Sequence, residues 1–383
     1  MRKTQIAIIC MVAIGLLVSG LSFSGCAKEE ISQTTATPET VVVTETVIKE
    51  VEKESPFTFD KMREMAAARS YEGEPAKGIK IAFQNLGDVD FTVAVEESIV
   101  KEWELAGGNP DDLSLYDAAF DTAKAAQNHD IIIGAKPDVW IQFWYDAKQN
   151  NQVGVRAQEA GIPIIAVDIP VLGATFMGAN NYKAGRLIGD FIVDYIENTW
   201  GGWDNVDLVT TPYDPFSGEV VLLRVLGPLD VLVEKYGESA AYDTAQGQVE
   251  GSKTVLLATS GGATAEKSSE AIKNVLSANP DAKNIVNISV NAQGASGIYA
   301  GADTLGRWDP ESWLMVTNGG EAQGAQMMRD GIMDGDVAYF PENYGQYLIP
   351  AAIAIANGNP VPADILMDHI MLTPENLDEY YPQ

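Results

Sequence analysis

The chain has 383 residues, with 54 aspartate and glutamate against 25 lysine and arginine, and a formal charge of −29 at pH 7. Such a surface is a poor partner for nucleic acid or anionic lipid headgroups. The cysteines are Cys10 and Cys26, both near the N-terminus, so the remainder offers neither disulfides nor a thiolate for catalysis or metal binding.

Arg2 and Lys3, an apolar stretch over 6–18 and the run Leu21-Ser22-Phe23-Ser24-Gly25-Cys26 predict an exported N-terminus, with 1–25 as signal peptide. The run resembles the bacterial lipobox, with Phe23 where an aliphatic residue is usual, and that resemblance implies a diacylglyceride on the Cys26 thiol. The alternative is an uncleaved anchor, since the apolar run extended to Phe23 nearly reaches spanning length. Both readings put the rest outside the cytoplasm, in the periplasm or at the cell surface, held to a membrane. Residues 26–56 follow as a disordered tether of Thr, Glu, Val and Lys, too poor in apolar area to offset its ordering entropy.

Beyond Gly78, apolar runs rich in β-branched residues recur at 79–83, 139–143, 162–167, 206–209, 254–258, 285–290 and 313–316. They read as buried parallel strands, and most are separated by segments of helical period. The clearest helical stripe is Ala184, Leu187, Ile188, Phe191, Ile192, Tyr195 and Ile196, with Asn180 and Asn181 placed to cap its start. This alternation predicts a doubly wound α/β architecture, and its length favours two lobes over one sheet.

No G-x-S-x-G elbow, phosphate loop, dinucleotide fingerprint or pair of histidines at helical spacing is present. His129 and His369 read as surface or capping residues, and Asn287-Ile288-Ser289 as an incidental sequon inside a strand. Nothing assembles a nucleophile with its base, so the chain is expected to be no enzyme and to need neither cofactor nor metal. In open α/β sheets, ligands bind beyond the carboxyl ends of the strands. Those positions carry Asp90 and Phe91, Trp144 and Tyr145, Asp168, Phe216, Asn291, Asn318 and Tyr339. Aromatic faces beside carboxylates and amides suit a polyhydroxylated ring, whose C–H faces pack on π-surfaces while fixed polar groups take its hydroxyls.

Four segments carry a family resemblance: Gly161-Ile162-Pro163-Ile164-Ile165-Ala166-Val167-Asp168; Gly178-Ala179-Asn180-Asn181-Tyr182-Lys183-Ala184-Gly185; Leu276-Ser277-Ala278-Asn279-Pro280-Asp281 running on to Asn291; and Met328-Arg329-Asp330-Gly331. In that order they resemble the ribose and sugar branch of the type I periplasmic binding proteins, over essentially all of 78–373. The resemblance implies two Rossmann-like lobes with parallel sheets joined by a three-strand hinge, closing on a ligand between them. It places the lobes at 78–180 plus 341–358 and at 181–340 plus 359–383. Asp168 falls at the family's hydroxyl-binding Asp, Phe91 in the region of its stacking aromatics, Arg224 near its second-lobe Arg and Asn291 at its binding Asn. Departures are Ile169, where Arg commonly follows the Asp, Asn318 at the late ligand Asp, and Tyr339 at the late Gln. The implied function is a solute-binding lipoprotein of an ABC importer, a monomer partnered by a small sugar-like ligand, a permease and an ATPase. A receptor for a chemoreceptor or kinase is the alternative, with a nucleoside or polyol as other cargo; a carboxylate-pair hydrolase is a third reading.

Overall fold

The structure, a computed structural model, describes residues 55–213, 219–258 and 264–382. The expected signal peptide, Cys26, nearly all of the tether and Phe216 lie outside the described residues.

Two α/β lobes have matching topology. The first contains strands β1 (Ile81–Asn85), β2 (Leu113–Asp117), β3 (Val139–Gln142), β4 (Ile164–Val167) and β5 (Thr175–Ala179). The second contains β6 (Leu208–Tyr213), β7 (Thr254–Ala258), β8 (Ile285–Ile288), β9 (Trp313–Gly319) and β10 (Gly335–Ala338). The C-terminal stretch then adds β11 (Asp364–Met367) to the first sheet and β12 (Ile370–Leu372) to the second. The orders are β11-β5-β4-β3-β1-β2 and β12-β10-β9-β8-β6-β7. All pairings are parallel except β10 with β12. In each sheet the strand order reverses at the first strand of the lobe, which opens a crevice at the carboxyl ends between β1 and β3 and between β6 and β8.

The central strands are the apolar runs of the sequence. Every residue of β1, β3, β4, β8 and β9 is buried, as expected of parallel strands covered by helices on both faces. The predicted stripe is the helix Asn181–Tyr195, capped by the Asn180 side chain, which accepts from Lys183 N. Ala184, Ile188, Ile192 and Ile196 are fully buried. Its neighbour Glu219–Tyr236 packs so close that a Cβ at Gly227 would lie 2.5 Å from Tyr182 O. Asn287 and Ser289 are fully buried and bond to each other, consistent with an incidental sequon.

The chain crosses between the lobes at 180–181, at 339–344 and at 368–369. Two boundaries differ from expectation. The first lobe begins before residue 78, since the helix Phe59–Ala67 buries Met62 in its core, and it also takes part of 359–383, since β11 pairs with β5 and the first lobe reclaims the chain through Met367. The histidines also differ. His129 is buried against Gln142, with the two nitrogens 3.1 Å apart, and burial pushes its pKa down to about 4; it is neither surface nor cap. His369 does cap, but at the hinge. Its Nε2 accepts from Asn180 N at 3.0 Å, Nδ1 lies 3.5 Å from Ala338 O, and its ring centre is 5.0 Å from that of Tyr339. One imidazole therefore touches all three crossings, and burial holds its pKa below the ordinary value.

Candidate functional site

A cavity of about 200 Å³ lies between the lobes at the carboxyl ends of the strands. From the first lobe, Phe91 follows β1, Phe143 and Tyr145 follow β3, and Asp168 and Ile169 follow β4. From the second come Arg224, Asn291, Gly319 and Glu321. The first lobe supplies most of the apolar wall, and the second most of the polar groups.

Asp168 is the carboxylate in the first lobe's share of the lining. It is buried, with φ of +55°, a left-handed conformation that Asp tolerates better than most residues. Its Oδ1 accepts from Ala179 N at 3.2 Å, and the Tyr344 hydroxyl lies 3.1 and 3.0 Å from its two oxygens. A Cβ at Gly178 would collide with Oδ1, so glycine there makes room for the carboxylate. Burial raises the Asp168 pKa, while Arg224, Ala179 N–H and Tyr344 oppose the rise. Tyr344 is held by the second crossing. Gly345, at the start of the helix Gly345–Ala356, donates to Ser98 Oγ at 2.9 Å, docking that helix on Asp90–Leu105.

Arg224 reaches the cleft because its helix lies tight on Asn181–Tyr195. Its Nε donates to Asn181 Oδ1 at 2.8 Å, one terminal nitrogen donates to Val290 O at 3.2 Å, and the guanidinium lies 4.9 Å from the Tyr339 ring centre. Burial disfavours its charge, but Tyr339, Asp168, Tyr344 and Glu321 together push its pKa upward. Asn291 caps the helix Ala292–Thr304, its oxygen accepting from Gly294 N at 2.7 Å. Phe91 is fixed edge-on by Tyr344 at 5.6 Å and Phe143 at 6.4 Å.

Of the residues named from the strand ends, Phe91, Tyr145, Asp168 and Asn291 line this one cavity, together with Arg224, which the resemblance alone had named. Asn318, Tyr339 and Trp144 do not line it, and Asp90 borders a neighbouring space instead. Asn318 and Tyr339 are fully buried beneath the floor. The Tyr339 hydroxyl lies 3.2 Å from Asn318 Oδ1 and 3.1 Å from Asn181 Oδ1, so they steady the residue that steadies Arg224. Trp144 is fully buried with Ala118 and Ala125, its Nε1 donating to Gln149 Oε1 at 2.6 Å. Alternation beyond β3 sends Phe143 and Tyr145 to the cavity and Trp144 into the lobe. Trp144→Phe is expected to leave ligand affinity within about twofold and to lower stability by about 1 kcal/mol through its lost hydrogen bond, readable by titration and urea melts.

The strand-end reading missed Tyr344, which lies on a crossing rather than at a strand end. Burial pushes the Glu321 carboxyl up to about 7; Arg224 opposes the shift and Asp90 adds to it. Between its ordinary 4.5 and about 7 the folded protein holds a proton that the unfolded chain has released. Its contribution to stability is complete below about pH 4.5 and lost as pH rises through about 7. Glu321→Gln should flatten that part of a thermal-midpoint series run across this range. An unchanged slope would show that the carboxyl ionises normally. Among the described residues there is no cluster of His, Cys, Asp and Glu able to hold a metal, and no helix long and apolar enough to cross a membrane.

A family model described as periplasmic binding protein domain matches residues 79–360. No curated protein sequence matches the chain at a significant level. Solved structures do. A protein from Mycobacterium smegmatis in complex with β-D-fucofuranose is 20% identical with a TM-score of 0.65, over 80% of this chain and 95% of that one. A periplasmic ribose ABC transporter protein from Conexibacter woesei is 18% identical with a TM-score of 0.66, over 82% and 97%. An ABC transporter solute-binding protein from Bacillus halodurans with bound myo-inositol is 18% identical with a TM-score of 0.63, over 81% and 99%. At these identities the likeness establishes the fold.

Proposed function

Because the chain belongs to the periplasmic binding protein domain family, we propose that it is the extracytoplasmic solute-binding protein of an ABC importer, holding a small sugar or sugar-like molecule between its lobes. The observation that carries this reading is the cavity itself. Phe91, Phe143 and Tyr145 on one lobe face Arg224, Asn291 and Glu321 on the other, over the buried Asp168. Aromatic surfaces take the C–H faces of a sugar ring, and a ring of acceptors and donors takes its hydroxyls. The fold neighbours bound to fucofuranose and myo-inositol support that chemistry.

Mechanistically, the open form binds one ligand through one lobe, and closure adds the contacts of the other. The closed shape is then what a permease and its ATPase recognise, so ligand affinity and closure free energy are linked. Lipidation at Cys26 would hold the protein at the membrane. Binding, not turnover, is the proposed activity.

A thermal-shift screen of the purified protein against sugars, polyols, nucleosides and amino acids tests this. A ligand at a hundred times its dissociation constant stabilises the folded state by about 2.7 kcal/mol, enough to raise the midpoint by several degrees. A shift with sugars or polyols supports the reading; a shift confined to amino acids contradicts it.

A further inference from the structure

The cavity beside Asp168 has a larger neighbour between the lobes. This second cavity, of about 610 Å³, adjoins it, and Phe91 and Glu321 line both. The outer cavity lies beside the 339–344 crossing, between the start of helix Asp90–Leu105 and that of helix Ala322–Arg329.

Its chemistry is distinctive. Phe91, Tyr380 and Tyr381 supply rings. Tyr381 is fixed, its hydroxyl donating to Gly320 O at 2.6 Å and its ring stacked on Phe340 with centres 6.3 Å apart. Asp90, Glu321 and Glu342 supply carboxyl groups. Arg329, the basic side chain in the lining, gives one terminal nitrogen to Asp378 at 3.2 Å and to the Tyr381 carbonyl, while its buried Nε has no partner among the described residues. Flat surfaces with three carboxyl groups against one cation favour an uncharged ring carrying hydroxyl or N–H donors over a phosphate. Size points the same way. The inner cavity, about 200 Å³, lies below the usual ~300–1,000 Å³ of ligand pockets and suits a single ring. The outer one falls within that range.

We propose that the ligand of this protein is an uncharged two-ring glycoside, with its sugar in the inner cavity and its second ring lying past Phe91 in the outer one. This rests on the sugar-binding reading of the inner cavity and specifies its substrate class.

The test is titration calorimetry on the purified full chain with D-ribose, D-xylose, D-galactose and D-glucose. Each is paired with its phenyl glycoside, a disaccharide or nucleoside containing it, and its phosphate ester. For whichever sugar binds, the two-ring partner should bind at least about tenfold tighter, and the phosphate ester no tighter than the free sugar. Gln326→Trp, on an exposed helix face bordering the outer cavity, should remove that gain while leaving the one-ring affinity within about twofold. Two-ring partners that bind no tighter than the free sugar overturn the inference, as does a Trp variant that weakens both alike. A free sugar that binds while every glycoside is excluded removes this inference and leaves the sugar-binding reading standing. Failure of every form in this panel, joined by silence of all sugars and polyols in the thermal-shift screen, removes both.

Discussion

Arg224→Met is expected to weaken ligand binding by on the order of a hundredfold while each lobe stays folded. Hydrogen bonds to charged groups contribute about 1.5–3 kcal/mol each, and a factor of ten corresponds to about 1.4 kcal/mol. Arg224 is the cation that the second lobe brings to the cavity lined by Asp168. Methionine keeps much of the stem that packs beside Tyr339 but removes the donors to Asn181 and Val290. Arg224→Lys should rescue little, because an ammonium cannot reproduce the planar fork that serves Asn181, Val290 and a ligand together. Affinity from calorimetry, set beside an unchanged unfolding cooperativity, checks this. A fall of less than about threefold would show that the guanidinium serves structure rather than the ligand.

The second large effect separates charge from backbone at Asp168. Asp168→Asn should lower affinity about ten- to a hundredfold with little loss of stability, because asparagine tolerates the left-handed φ of +55° and still accepts from Ala179 N. Asp168→Ala should lower affinity similarly and also lower the melting midpoint. Alanine pays about 1–2 kcal/mol for that conformation, and it leaves the buried Tyr344 hydroxyl without its acceptor. Equal melting midpoints for the two variants would contradict the strain argument; affinities equal to wild type would remove Asp168 from the site.

How much of this was legible depended on burial. The central strands were legible because a strand covered on both faces must be a continuous apolar run, as in Ile164–Val167 and Ile285–Ile288. Three others were not. Leu113–Asp117, at an edge of the first sheet, is half exposed along its length, Gly335–Ala338, inside the second sheet, opens with Gly-Asp, and Ile370–Leu372, at its edge, is three residues long. Nothing in their composition separates them from loops, and the sheet that β11 joins depends on a pairing 188 residues away in the chain, Asp364 with Phe176. At the site, the strand-end rule located Phe91, Tyr145, Asp168 and Asn291 because topology alone puts those positions at the crevice. It failed at Trp144, where a one-residue alternation decides between cavity and core. It failed again at Asn318 and Tyr339, which occupy strand ends one layer too deep. Tyr344 carries no such signal, since only the folded hinge brings residue 344 onto residue 168.

A crystal structure of the protein with a sugar or glycoside identified by the thermal-shift screen tests the central claim most directly. The account predicts electron density between Phe91 and Tyr145 on one lobe and Arg224 and Asn291 on the other, with a ligand hydroxyl in hydrogen-bond contact with Asp168. Density outside that cleft, or within it but with Asp168 and Arg224 both free of the ligand, would contradict it.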